Sequence, residues 1–258
     1  MSDSHKHWAD HWLMKLTAFG VRVLGRRVLS PVLHGIVLYF FLFGRSARQS
    51  AWQYQQRLAT WSGQDALLPT RMKVFRQFMA FADALLDKLD VWNGKLSIDQ
   101  IKIIDPALNR LLGEAGATNL RLIQVSELDP AIMLQLSQRL DRGEWLAIAG
   151  DRVPLHGGRN VRVDFLGHAA AFPQGPWLLA GLLKCPVNLL FCLKLQGRYH
   201  VTLEPFTEAV QWKRGDREQV IAHWTARYAE RLGQYCLQAP QQWFNFYPFW
   251  KTDDDASA

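Results

Sequence analysis

Asp151 and Arg152 set a carboxylate beside a guanidinium, directly after Gly150 and the short apolar run Trp145–Ala149. Arginine binds phosphate or carboxylate through a planar fork of N–H donors, and an adjacent carboxylate orients that fork. The same charges also suit a structural ion pair tying a strand end to the next loop, and residue type alone leaves both roles open. His156, Gly157 and Gly158 follow, and the glycines permit a plain turn or close approach of a ligand. Farther on, Phe172-Pro173-Gln174-Gly175-Pro176 leads into an apolar stretch. Proline suits the first helical position, so backbone N–H groups and a positive dipole end there can face an anion, unless the turn simply starts a helix. The candidate substrate-binding residues are therefore Asp151, Arg152, Gly157, Gly158, Phe172, Pro173, Gln174 and Gly175. No metal-ligand spacing joins Cys185, Cys192 and Cys236, which read as buried reduced thiols, and no metal or cofactor is expected.

Two other spacings are weaker. His5 and Asp10 make a His-x4-Asp pattern inside a polar tail, where no strand precedes them. Asp83 and Asp87 lie one helical turn apart, but Lys88 beside them marks a solvated face. Asn245, among terminal aromatics, suits satisfying backbone groups better than chemistry.

The elements that must position these residues follow from periodicity. Trp145–Ala149 reads as a buried strand delivering Asp151 and Arg152 to its carboxyl end, where ligands bind in open α/β sheets. Residues 46–92 repeat apolar side chains at three- and four-residue spacing, through Leu58, Trp61, Phe75, Phe78, Met79, Leu85 and Leu89, which predicts amphipathic helix. Ile98–Ile104 and Asn119–Val125 read as strands, Ala107–Gly113 and Pro130–Leu140 as helices, the latter capped by Asp129. Pro186–Lys194 and Tyr199–Glu204 read as strands joined through Gln196-Gly197, and Asp216–Leu237 as a helix with Ile221, Trp224, Tyr228 and Leu232 on one stripe. Strands alternating with helices predict an α/β fold, a mostly parallel sheet flanked by helices.

The 258 residues are 49% hydrophobic and carry a formal charge of +7. That balance favours polyanionic partners. Dispersed basic residues and the absence of a recognition motif argue against nucleic acid, whereas aromatics concentrated near both chain ends favour a lipid interface. Leu13–Leu29 is amphipathic with Arg22, Arg26 and Arg27, and lacks the form of a signal peptide. Pro31–Phe43 is uncharged and ends at Gly44-Arg45. Its thirteen residues fall short of the roughly 20 needed to span a bilayer as a helix. It reads as a membrane-embedded or barely spanning helix, with a buried core helix as the alternative; Arg45, Arg48 and Arg57 would favour an anionic cytoplasmic leaflet. Residues 1–45 thus form a membrane-associated N-terminal region and 46–258 an α/β domain.

Taken together, the apolar N-terminal helix with its arginine flank, Gly150-Asp151-Arg152, Phe165-Leu166-Gly167 with Phe172–Pro176, and terminal Trp243–Trp250 resemble the lipid A biosynthesis lauroyl/myristoyl acyltransferase family, within the wider lysophospholipid acyltransferase-like group. The resemblance implies a membrane-associated enzyme on the cytoplasmic face of the bacterial inner membrane. Such an enzyme moves an acyl chain from an acyl carrier protein thioester to a hydroxyl of an anionic lipid. It also implies a general-base histidine in a His-x4-Asp/Glu motif, expected between Asp105 and Asn109–Gly113. No histidine occurs between His34 and His156, so no catalytic residue is assigned and the fold is expected to lack a strand-helix-strand unit. His156 and His168 are the nearest substitutes, without a carboxylate at the family spacing. The alternative function is a catalytically inactive membrane-bound remnant or binding module.

Overall fold

The computed structural model describes residues 31–92, 101–103, 130–152 and 159–250. The apolar run at 31–43 is helical (α1) and stops at Gly44, whose N–H donates to the Phe40 carbonyl at 2.7 Å. A Cβ at Gly44 would sit 2.5 Å from that oxygen, so this junction admits only glycine without rearrangement. Helix α2 (Arg45–Ser62) begins at once and buries Ala51, Tyr54 and Leu58, spaced three and four residues apart on one face. Gly63 ends it in the left-handed region at φ 66°, and Gln64 N–H reaches back to the Ala59 carbonyl at 3.1 Å. The break between the helices predicted as one pattern over 46–92 is therefore a glycine C-cap, followed by a 3-10 turn at Asp65–Leu67. Helix α3 (Arg71–Trp92) buries Val74 and Phe78, against which Phe41 of α1 packs edge-on at 5.6 Å from Phe78.

Strand β1 (Ile101–Ile103) pairs parallel with β5 (Arg198–Thr207), and β5 pairs antiparallel with β4 (Val187–Leu195). Gln196 and Gly197 join β4 to β5 with φ of 52° and 79°, the positive pair of a type I′ hairpin turn. A separate hairpin joins β2 (Asn160–Phe165) to β3 (His168–Pro173) through Leu166 and Gly167, at φ 55° and 77°. Helices α4 (Pro130–Asp141), α5 (Gly175–Leu183) and α6 (Arg217–Gln238) complete the described elements. The largest core forms where the β2–β3 hairpin meets α2, α6 and the terminal aromatics. Phe165 and Phe172 project from the same hairpin face, and Phe165 stacks on Trp250 at 5.6 Å. Buried amides tie that core to the helices: Gln55 donates to Gln77 at 2.8 Å, and Gln77 donates to the Trp243 carbonyl at 2.9 Å.

The chain mixes helices and strands, but among the described residues the only parallel pairing is β1 with β5, in small sheets dominated by antiparallel pairs. Two-residue turns impose that direction, because parallel strands need a long crossover. Trp145–Ala149 is not a buried strand: it has no regular structure, and Trp145 is 55% exposed. An apolar run becomes a strand only when a neighbour completes its ladder, and no described strand does so. Cys236 is buried, but Cys192 is exposed and Cys185 intermediate, all three being free. Asp87 does not lie on a solvated face; it is 3% exposed because the β4–β5 hairpin closes over α3. Among the described residues no helix is long and apolar enough to cross a membrane. The readings at Leu13–Leu29, Ala107–Gly113, Asn119–Val125, His5 and Asp10 lie outside the described residues.

One pairing carries a pH dependence. Glu204 on β5 receives both ends of the Arg231 fork from α6, and the Tyr235 hydroxyl donates to it at 2.5 Å. The Arg231 hydrogen bond holds the Glu204 carboxyl below its ordinary value, against the opposing effect of burial. A depressed folded-state pKa means the contribution is present above the unfolded value of 4.5 and lost as pH falls through the folded one. Both side chains keep solvent contact, so the contribution is about 1 kcal/mol. Glu204→Gln should lower stability at pH 7 and flatten the loss on acidification below pH ~4.5, read from urea melts at several pH values.

Candidate functional site

Gly150 determines how the Asp151-Arg152 pair is seated. A Cβ there would lie 2.8 Å from Cζ of Tyr228 on α6, so the missing side chain lets the backbone rest on that ring. Asp151 then meets the terminal segment: its Oδ2 accepts from Trp243 Nε1 at 3.1 Å, and its carbonyl accepts from the Tyr247 hydroxyl at 3.4 Å. Arg152 Nε lies 3.8 Å from Asp151 Oδ1, and its Nη2 donates to the Phe244 carbonyl at 3.2 Å. Nearly half of the Arg152 side chain remains exposed. The guanidinium is held through Nε and Nη2 while nearly half of the side chain stays open to solvent, an arrangement able to receive an anion. Gly150→Ala should push Tyr228 or the Asp151 backbone aside and cost about 1–3 kcal/mol; a thermal melt measures it, and a loss under about 0.5 kcal/mol would mean that the ring yields freely.

The neighbouring ionisable groups are held neutral. Burial pushes the Tyr228 hydroxyl up, reinforced by the Asp151 charge. Burial pushes the Cys236 thiol up to about 12. Burial likewise raises Tyr54, whose buried ring packs on Trp243 at 4.8 Å. None of these three is a proton acceptor near neutrality.

Phe172 is fully buried and Pro173 buried at the end of β3, so both pack the core at this position. Gln174 stands at the start of α5, its N–H donating to the Arg159 carbonyl at 3.0 Å and its amide to the Asn160 carbonyl at 2.9 Å. Pro176 falls in the first turn of that helix, where the sequence places it. The two candidate groups meet through Tyr228, which lies against Gly150 and makes an edge contact with Phe172 at 6.1 Å. His156, Gly157 and Gly158 lie outside the described residues. His168 is exposed at the β2–β3 turn; its Nδ1 faces the Leu166 carbonyl at 3.2 Å, so the hydrogen sits on Nδ1.

Sequence reasoning missed Trp243, Tyr247 and Tyr228 as the residues that seat Asp151 and Arg152. The available signal was a tryptophan and a tyrosine, ring donors needing acceptors, set in a terminal aromatic run.

Residues 113–252, more than half of the 258-residue chain, match the model of a family described as bacterial lipid A biosynthesis acyltransferase. That span holds Asp151, Arg152, both hairpins and the terminal aromatic segment. No curated protein matches the chain.

Proposed function

Because the chain belongs to the bacterial lipid A biosynthesis acyltransferase family, we propose that it transfers a fatty acyl chain from an acyl carrier protein thioester to a hydroxyl of an anionic lipid. It does so at the cytoplasmic face of the bacterial inner membrane. The observation that carries this reading is the half-exposed Arg152 fork, inside the matched span and anchored to Asp151 and Phe244. Arg152 would hold a phosphate, of the lipid or of the carrier's prosthetic arm, and Asp151 would fix the plane of the guanidinium. Attachment to the membrane is supported by α1, whose Val32, Tyr39, Phe40, Leu42 and Phe43 side chains are exposed, Phe43 at 72%. Uncharged aromatic and aliphatic side chains followed by Arg45 and Arg48 suit the boundary between acyl chains and anionic headgroups.

In the reaction the acceptor oxygen forms an ester bond to the thioester carbon, the carbon–sulfur bond breaks, and the hydroxyl proton must leave. Burial holds Tyr54, Tyr228 and Cys236 protonated, so none of the three takes it. The lack of any histidine between His34 and His156, where the family's general base is expected, favours a second reading, a membrane-bound binding protein that retains the anion-recognising arginine without turnover.

Membranes bearing the protein, mixed with an acyl carrier protein thioester and a phosphorylated glycolipid acceptor, separate the two readings. Turnover above control membranes, lowered about 100-fold by Arg152→Ala, supports the enzyme. Turnover no greater than in control membranes, with acceptor binding that still depends on Arg152, supports the binding protein. For attachment, removal of residues 13–44 should release the protein from the membrane fraction; unchanged sedimentation would refute that part.

A further inference from the structure

Helix α2 contains Arg45, Arg48 and Arg57 and no acidic residue. Its outer face borders an open groove of about 470 Å³ lined by Gln49, Trp52, Gln53, Gln56, Arg57 and, across from the helix, His168. Gln49, Gln53 and Gln56, followed by Thr60, recur every three or four residues, so their polar ends form one stripe along the groove. The lining supplies amide donors, aliphatic stems and one indole; Trp52 is 43% exposed. Arg57 stands at its inner wall with its guanidinium 4.5 Å over the ring of Trp250. Among the described residues Arg57 has no carboxylate or hydrogen-bond partner, and its enclosed Nη1 lacks an acceptor.

We propose that this groove binds a single anionic phospholipid of the phosphatidylglycerol type, its phosphate on Arg57, its glycerol hydroxyls on the glutamine stripe and its acyl chain along Trp52. A fixed, half-buried cation without a counter-charge attracts an anion, and burial already disfavours the charged form of Arg57, which a phosphate would relieve. A bare phosphate would leave the indole and the glutamine stems uncovered, whereas an amphiphile covers both. His168 lines the groove across from α2, where its imidazole can exchange a hydrogen bond with a headgroup hydroxyl. Only Gly44 separates α2 from the exposed apolar face of α1, so groove and lipid-facing helix are continuous along the chain. The inference rests on the lipid-surface part of the proposed function and not on acyl transfer. It concerns residues distinct from Asp151 and Arg152.

The test uses the full chain in neutral detergent, titrated with dihexanoyl phosphatidylglycerol below its micelle concentration and followed by calorimetry and native mass spectrometry. One lipid per chain is expected. Arg57→Gln should weaken binding about tenfold, the effect of losing a charged hydrogen-bond partner. Because Arg57 also packs on Trp250, Gln53→Glu and Trp52→Ala test the same groove from its exposed face. The first should weaken binding about tenfold by repelling phosphate, and the second about fivefold. Equal affinity for dihexanoyl phosphatidylcholine would overturn the proposal. So would competition by inorganic phosphate as effective as by the lipid, or unchanged binding in both exposed-face variants. Acyl-transfer activity plays no part in these readouts, so their failure leaves the acyltransferase reading intact, and the reverse also holds.

Discussion

Trp243→Ala should lower the unfolding free energy by about 3–5 kcal/mol, as expected when a large buried aromatic leaves a cavity. Trp243 is 6% exposed and packs on Tyr54, Phe165, Phe249 and Trp250, with centroids 4.8 to 5.8 Å away. Its carbonyl accepts from Gln77 and its Nε1 donates to Asp151, so one residue joins α3, the core and the candidate site. The substitution removes the ring contacts and leaves the Asp151 carboxylate without its indole donor. Trp243→Phe keeps most of the packing and should cost about 1–2 kcal/mol, chiefly the lost hydrogen bond to a charged group. Urea melts check both: the midpoint should fall with little change in slope. If Trp243→Ala loses less than about 1 kcal/mol, the terminal aromatic segment does not pack as described.

The second large effect is expected at Asp87. Its side chain is 4% exposed and accepts from Lys194, which retains 28%, and from the Tyr199 hydroxyl at 2.5 Å. Removing one partner of a buried ion pair leaves an uncompensated charge, so Asp87→Ala should cost about 3–5 kcal/mol. Replacing both partners, Asp87→Leu with Lys194→Met, should recover most of that loss, because no charge is then left buried. A double-mutant cycle measures the coupling. Additive losses would show that the two side chains act independently, and would remove the reason given for the β4–β5 hairpin docking on α3.

These two residues show unequal legibility. Asp87 was placed on a solvated face by its neighbours Asp83 and Lys88, since local pattern cannot report that β4 and β5 will cover one turn of α3. Trp243 was visible as part of an aromatic terminus, but its hydrogen bond to Asp151 spans 92 residues of chain and no spacing rule reaches that far. The β4–β5 hairpin was legible because Gln196-Gly197 interrupts two runs of strand-forming residues, and the structure places both turn residues at positive φ. The β2–β3 hairpin was not. Its turn at Leu166-Gly167 puts leucine at φ 55°, a conformation leucine rarely adopts, and Asp164 Oδ1 accepting from Gly167 N–H at 3.1 Å stabilises it.

The sequence by itself determined the helical character of 46–92 apart from its break at Gly63, the helices over Pro130–Leu140 and Asp216–Leu237, the β4–β5 hairpin, a helix start near Pro176 and the resemblance to lipid A acyltransferases, because each rests on local periodicity, turn chemistry or a short motif. Only the tertiary structure decided that Trp145–Ala149 is left exposed and that the sheets are mostly antiparallel. Only it decided, too, that Asp151 and Arg152 are seated by Trp243, Phe244 and Tyr247. Strand pairing, burial of charge and the seating of a site depend on partners distant in the chain, and their energies exist only once those partners meet.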